Sequence, residues 1–124
     1  MAGRDFVVQQ TLERQIKDLY FNYSFDGTNF SSNNSYGFYA LTKSAAGDYK
    51  LELSDKWVAL RKFDVSLIES TVQDFTIQIK SYDLAPTTGR PYINFYTSTA
   101  GTPTDIPTGS SLMGKVILKN TLGF

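Results

Sequence analysis

The sequence predicts an all-β fold: a single-domain antiparallel β-sandwich, Ig-like or jelly-roll-like, preceded by an N-terminal arm. Three observations carry this reading. Aromatic residues make up 15% of the chain, and aromatic and β-branched side chains suit the pleated, half-buried surface of a sheet. Short runs alternate apolar and polar residues with a period of two, the pattern of strands with one buried face. Clusters of Gly, Pro, Asn, Asp and Ser separate these runs at intervals of roughly 8–15 residues, as they do in sandwiches and barrels. A chain of 124 residues fits one domain with one core. Residues 1–17 are expected to form the arm or a first strand, and residues 18–124 the sandwich.

In the opening segment Leu12, Ile16, Leu19 and Tyr23 recur at helical spacing, whereas Leu19, Phe21, Tyr23 and Phe25 alternate with Tyr20, Asn22 and Ser24. The alternation predicts a strand over 18–25. The stretch before it is polar apart from Phe6, Val7, Val8, Leu12 and Ile16, which fits an extended arm or a short helix. Asp26-Gly27 and residues 29–35 are turn-forming. Strands over 36–43 and 49–53, joined by a turn ending in Gly47-Asp48, read as a hairpin. Ser54 or Asp55 is placed to cap a single helical turn through Leu60, with Trp57 and Leu60 inward. Further strands are expected over 63–69, 75–81, 92–96 and 112–120, and Phe75, Ile77 and Ile79 share one face of the second of these. Residues 98–111, with Gly101, Pro103, Pro107 and Gly109, read as a long loop. The total is about seven strands.

Composition narrows the chemistry. The chain has no Cys and no His, so a disulfide framework, a thiolate metal site, a cysteine nucleophile and a Ser-His-Asp triad are all excluded. Twelve basic and twelve acidic residues cancel, without the basic surplus that nucleic-acid binding usually requires. Lys56, Arg61 and Lys62 are a local basic group that reads as a solvated edge. The Met-Ala-Gly-Arg-Asp start lacks an apolar signal-peptide region. No apolar run is long enough for a membrane helix. The triplets at Asn22, Asn29 and Asn33 match a glycosylation pattern but follow no secretory signal.

Asp48, Glu52 and Asp55 form the best carboxylate group, and a pair of carboxylates can hydrolyse glycosides. They alternate with core positions of a hairpin and read as solvated strand faces. Asp105 lies in a loop that would need several more oxygens to hold Ca²⁺. Gly101 and Gly109 are too far apart for a phosphate-cradling loop. No catalytic residue, cofactor or metal ligand is expected. The aromatics are the remaining candidates. Tyr20, Phe21, Tyr23, Phe25, Phe30, Tyr36, Phe38 and Tyr39 crowd one region, more than one core face needs. Either tyrosines line a wet sheet surface, or a second subunit covers that face, or they form a sugar platform. The expected interface residues are Phe6, Val7, Val8, Leu12, Ile16, Tyr20, Tyr23, Tyr36 and Tyr39.

The order of segments also carries a resemblance. Thr11 to Tyr20 precedes an aromatic strand; Tyr36-Gly-Phe38 leads to Gly47-Asp-Tyr-Lys-Leu-Glu-Leu53; Ser54-Asp-Lys-Trp-Val-Ala-Leu60 and Gly114-Lys-Val-Ile-Leu-Lys-Asn120 follow. This pattern resembles a group of small virion-associated structural proteins of tailed phages, over most of the chain. The resemblance implies a non-enzymatic cement or decoration protein on the capsid surface of the virion, made in the host cytoplasm. Its implied partners are the major capsid protein and further copies of itself as a dimer or trimer, with no nucleic acid, membrane or small-molecule substrate. A cement protein would use an arm or apolar patch, and sheet edges open to pairing. The alternatives are a tail, adaptor or fibre-associated protein and a carbohydrate-binding module.

Overall fold

The computed structural model describes residues 16–33 and 35–119. Among these residues run nine strands: β1 (Ile16–Phe25), β2 (Phe30–Ser32), β3 (Phe38–Ala45), β4 (Asp48–Leu53), β5 (Ala59–Ile68), β6 (Thr76–Asp83), β7 (Tyr92–Thr99), β8 (Thr102–Pro103) and β9 (Ser111–Lys119). Sheet A has the order β2-β1-β9-β5, and sheet B the order β3-β4-β7-β6 with β8 beside β7. Every pairing is antiparallel. The chain is therefore the expected β-sandwich.

Alternation places the core. Phe21, Tyr23 and Phe25 of β1 and Leu112, Val116 and Leu118 of β9 face Tyr49, Leu51 and Leu53 of β4 and Ile93 and Phe95 of β7, and all are buried. Rings bridge the two sheets: Phe63 to Phe95 at 5.2 Å, Phe25 to Tyr49 at 6.2 Å, and Phe21 edge-on to Phe38 at 5.4 Å. Tilted and edge-on pairs at these separations add to the gain from burial.

Several boundaries differ from expectation. β1 begins at Ile16, two residues before the strand expected over 18–25, and Ile16 and Lys17 pair with Lys119 and Leu118. Phe6, Val7, Val8 and Leu12 lie outside the described residues. No helical turn forms over 54–60. The Val58 amide instead donates to the Lys119 carbonyl at 2.9 Å, and β5 runs along β9 from Ala59. A continuous ladder outcompetes one isolated turn, whose nucleation is unfavourable. Trp57 and Leu60 still pack against the core. Residues 98–111 are not one loop: β7 extends to Thr99, turns through Ala100-Gly101 and returns as β8.

Three of the four edge strands carry a register shift. The shifts lie between Phe38 and Ala40 and again between Lys43 and Ala45 in β3, between Leu60 and Lys62 in β5, and between Ile79 and Ser81 in β6. Each inserts one residue and resets the alternation. Phe38 and Leu41, Leu60 and Phe63, and Ile79 and Tyr82 thus stay on the core side despite spacings of three. Of the inserted residues, Tyr39, Arg61 and Lys80 are exposed. The fourth edge, β2, is three residues long. Bulged, charged or very short edges resist the addition of a further strand.

Candidate interaction surfaces

The expected interface tyrosines divide. Tyr23 is 4% exposed, because it alternates in phase with Phe21 and Phe25, and its assignment to an interface is corrected to the core. Burial raises its phenol above the ordinary value, against a hydrogen bond with Ser35 that acts the other way. Tyr20, Tyr36 and Tyr39 are 60%, 79% and 58% exposed. They do not share a face. Tyr20 lies on the outer side of sheet A, Tyr36 in the β2–β3 crossover, and Tyr39 at the β3 bulge of sheet B. Ile16 is half-buried at the start of β1. The crowding of aromatics in the sequence mostly reflects the core, since Phe21, Tyr23, Phe25 and Phe38 are all buried.

On the outer face of sheet B the rings are capped by cations. The Arg90 guanidinium sits 3.6 Å from the Tyr39 ring centre, Lys50 5.0 Å from that of Tyr92, and Lys80 5.3 Å from that of Tyr96. Cation–π attraction holds such pairs even when exposed. Lys80 also donates to Asp48 at 3.0 Å, which raises its pKa. A sugar would have to displace these cations to stack on the same ring faces. At one end of this face Gln78, Tyr96, Ser98, Gly101 and Pro103 line a shallow, open depression of about 320 Å³. Asp48 and Glu52 lie on β4, and Asp55 is exposed in the crossover after it. Among the described residues no group of three His, Cys, Asp or Glu side chains is placed to hold a metal ion.

A polar clamp closes one end of the sandwich. The Asp105 carboxylate accepts from Lys43 Nζ at 2.6 Å, from the Gly47 amide at 2.8 Å and from the Tyr49 hydroxyl at 3.3 Å. The same hydroxyl accepts from the Ile106 amide at 3.1 Å, and Ile106 is buried. Burial pushes the Asp105 carboxyl up, but the Lys43 and Gly47 hydrogen bonds and the Lys43 charge outweigh it and hold the pKa below the ordinary value. Asp105 thus ties the β8–β9 crossover to the β3–β4 hairpin. Its sequence reading as a loop carboxylate missed this role, because Lys43 and Gly47 are remote in the chain.

Replacing Asp105 by Asn is expected to cost about 2 kcal/mol, the scale of hydrogen bonds to a charged group. A depressed carboxylate pKa stabilises the fold above the unfolded-state value of about 4, and this contribution is lost as pH falls through the lower folded-state value. The difference in melting temperature between wild type and Asp105→Asn should therefore be full at neutral pH and shrink below about pH 4. A difference that stays constant down to strong acid would show that the charge is not what the clamp uses.

Among the described residues, two surfaces carry exposed apolar side chains. The first is the open side between β5 and β6. Ile79 and Tyr82 pair with Phe95 and Ile93 and so share the core face of sheet B, yet they are 38% and 50% exposed. Opposite them Leu60, Phe63, Val65 and Leu67 of β5 are half-buried, whereas Leu112, Val116 and Leu118 of the neighbouring β9 are fully buried. The core is thus incompletely covered along this side. The second is part of the outer face of sheet A, with Tyr20, Met113 and Ile68 exposed and Ile117 half-buried, whereas Lys119, outward in the row of Ile16 and Ala59, is buried.

These features define a small antiparallel β-sandwich with blunted edges and apolar faces. Comparison with known proteins finds no matching family model, no matching curated protein and no matching solved structure. Among the described residues no helix is long and apolar enough to cross a membrane.

Proposed function

We propose that the protein is a structural component of a tailed-phage particle, a cement protein that binds the major capsid protein shell and stabilises it from the capsid surface. The observation that carries this reading is the open side of the sandwich. Ile79 and Tyr82 point toward the core side of sheet B but are left exposed. Incompletely covered apolar side chains on a rigid scaffold gain free energy when another chain covers them. The resemblance of the segment order to small virion proteins of tailed phages supports the particle as the setting. A binding role without catalysis accords with a sequence that has neither His nor Cys. The apolar residues Phe6, Val7, Val8 and Leu12 of the N-terminal segment add a second point of attachment in this reading.

The test mixes the full chain with empty heads and with detached tails of the phage that encodes it. The chain should sediment with heads. Tyr82→Asp should weaken attachment about tenfold or more, as losing a central aromatic contact does, while Tyr82→Ser, which adds no charge on the core side, should also weaken attachment and lower the melting temperature less. Removing residues 1–15 should likewise weaken attachment more than it lowers the melting temperature. Sedimentation with tails alone would move the protein to a tail or adaptor role. Binding to glycans but to neither particle part would replace the proposal with a carbohydrate-binding module.

A further inference from the structure

The open side between β5 and β6 is a seat with room for one more segment. Its walls are Leu60, Phe63 and Val65 of β5, half-buried, and Ile79 and Tyr82 of β6, exposed. Trp57 stands at one end, where its amide donates to the Leu84 carbonyl at 3.0 Å just past β6. The indole Nε1–H of Trp57 is buried and has no acceptor among the described residues. A buried donor without a partner costs free energy, so the seat calls for an oxygen as well as apolar side chains. The bulges at Arg61 and Lys80 interrupt the two strands that border it. An occupant is therefore held by its side chains rather than by a continued ladder.

The chain itself carries a matching segment. Ahead of β1, Phe6, Val8, Gln10 and Leu12 alternate with Val7, Gln9, Thr11 and Glu13. Extended chain puts the first set on one face. That face is apolar except for Gln10, whose side-chain carbonyl is an acceptor.

We propose that the N-terminal segment of a second copy lies along this seat. Phe6, Val8 and Leu12 cover the apolar walls, and an oxygen of the segment, from Gln10 or the main chain, accepts from the Trp57 indole. The inference rests on the assembly role proposed above and names the chain that covers its open side. A second copy suits the seat better than the same copy does. β1 starts at Ile16, in the row of Lys119 and Ala59, with β9 between it and β5. That separation is about 10 Å at ordinary strand spacing. The β4–β5 crossover lies across the route, fixed by the Trp57 amide on Leu84 and by the Val58 amide on the Lys119 carbonyl at 2.9 Å. The stretch from Leu12 to Ile16 reaches at most about 14 Å, so passing round the crossover leaves Leu12 outside its own seat. From a neighbouring copy the whole face can enter. Exchange in both directions closes two copies into a pair. A pair holds a shell at two places, which tightens attachment without any new contact.

The chain has no Cys, so paired cysteine variants of the full chain report which segment fills the seat. One of Phe6→Cys, Val8→Cys and Leu12→Cys, mixed with Ile79→Cys and oxidised, should give a disulfide-linked species of twice the mass that neither variant gives alone. Gln9→Cys, on the opposite face, should link least. Trp57 is the only tryptophan, and its emission should shift to the blue as wild type is concentrated. Sedimentation should show a reversible pair over the same range. Phe6→Asp should weaken the pair about tenfold or more and remove the emission shift. A monomeric wild type, a pair indifferent to Phe6→Asp, or a chain with both Val8→Cys and Ile79→Cys that links only within itself overturns the proposal. Head attachment measured in parallel separates the two ideas. Head binding by a chain that forms no link between copies removes the exchange and keeps the cement role, whereas linked copies that bind no head do the reverse.

Discussion

Gly47→Ala is expected to destabilise the protein by about 3 kcal/mol or more, through backbone strain and displaced contacts. Gly47 closes the β3–β4 hairpin with φ of 66°, a left-handed conformation that costs an L side chain roughly 1–2 kcal/mol. The space around it is also filled. A Cβ at this position would lie 2.4 Å from the Thr104 nitrogen and 2.5 Å from the Thr97 oxygen. Both neighbours are backbone atoms held by hydrogen bonds. The Thr97 amide donates to the Gly47 carbonyl at 2.9 Å, and the Thr104 amide donates to the Thr97 carbonyl at 2.9 Å. Moving them apart would loosen the junction of β4, β7 and β8 and the Asp105 clamp, which takes the Gly47 amide. Chemical denaturation gives the measurement. A loss under 1 kcal/mol would mean that the hairpin can shift as a unit without cost to its neighbours.

Gly114→Val is expected to cost about as much, by overpacking rather than by dihedral strain. Gly114 lies in the central strand of sheet A, between Phe21 of β1 and Val65 of β5. A Cβ there would stand 2.1 Å from the Asp64 carbonyl oxygen and 2.9 Å from the Phe21 ring. The contact with the ring can be relieved, and the contact with the backbone cannot. Phe21→Leu in the same chain should therefore recover only a small part of the loss, and a double-mutant cycle reads that part directly. Full recovery would show that the ring alone demands glycine here. Because Phe21 also meets the rings of Phe38 and Phe63, a misplaced ring would disturb both sheets.

The sequence made the sandwich legible wherever the alternation is unbroken. Phe21, Tyr23 and Phe25, or Tyr49, Leu51 and Leu53, announce a buried face because a strand repeats every two residues. The pattern failed at the bulges. Ser54 or Asp55 as a cap, with Trp57 and Leu60 inward, points to a helical turn through Leu60 and a strand from Phe63, but Leu60 and Phe63, three apart, share the core face of β5. The bulge at Arg61 reconciles the spacing, but only the pairing with β9 reveals it. β2 and β8 escaped because strands of three and two residues carry too little pattern to register. Among the surface residues, Tyr20 was legible as outward-facing from its place between Leu19 and Phe21. Tyr23 was misjudged by being grouped with its neighbours by type, although its phase put it inside. Ile79 and Tyr82 could not have been found this way. Their positions are those of core residues, and their exposure arises from how far the opposite sheet extends. The Asp105 clamp was equally hidden, since it joins residues that only the folded chain brings together.

The blunted margins of the two sheets bear on what happens when many copies are crowded together. A molecule this rich in strands, with straight unpaired borders, would be a template for cross-β growth, each added copy offering a fresh border to the next. Interrupting the borders at Tyr39, Arg61 and Lys80 removes that repeating step. A concentrated solution of the protein is therefore expected to stay free of filaments, which amyloid-dye fluorescence would check.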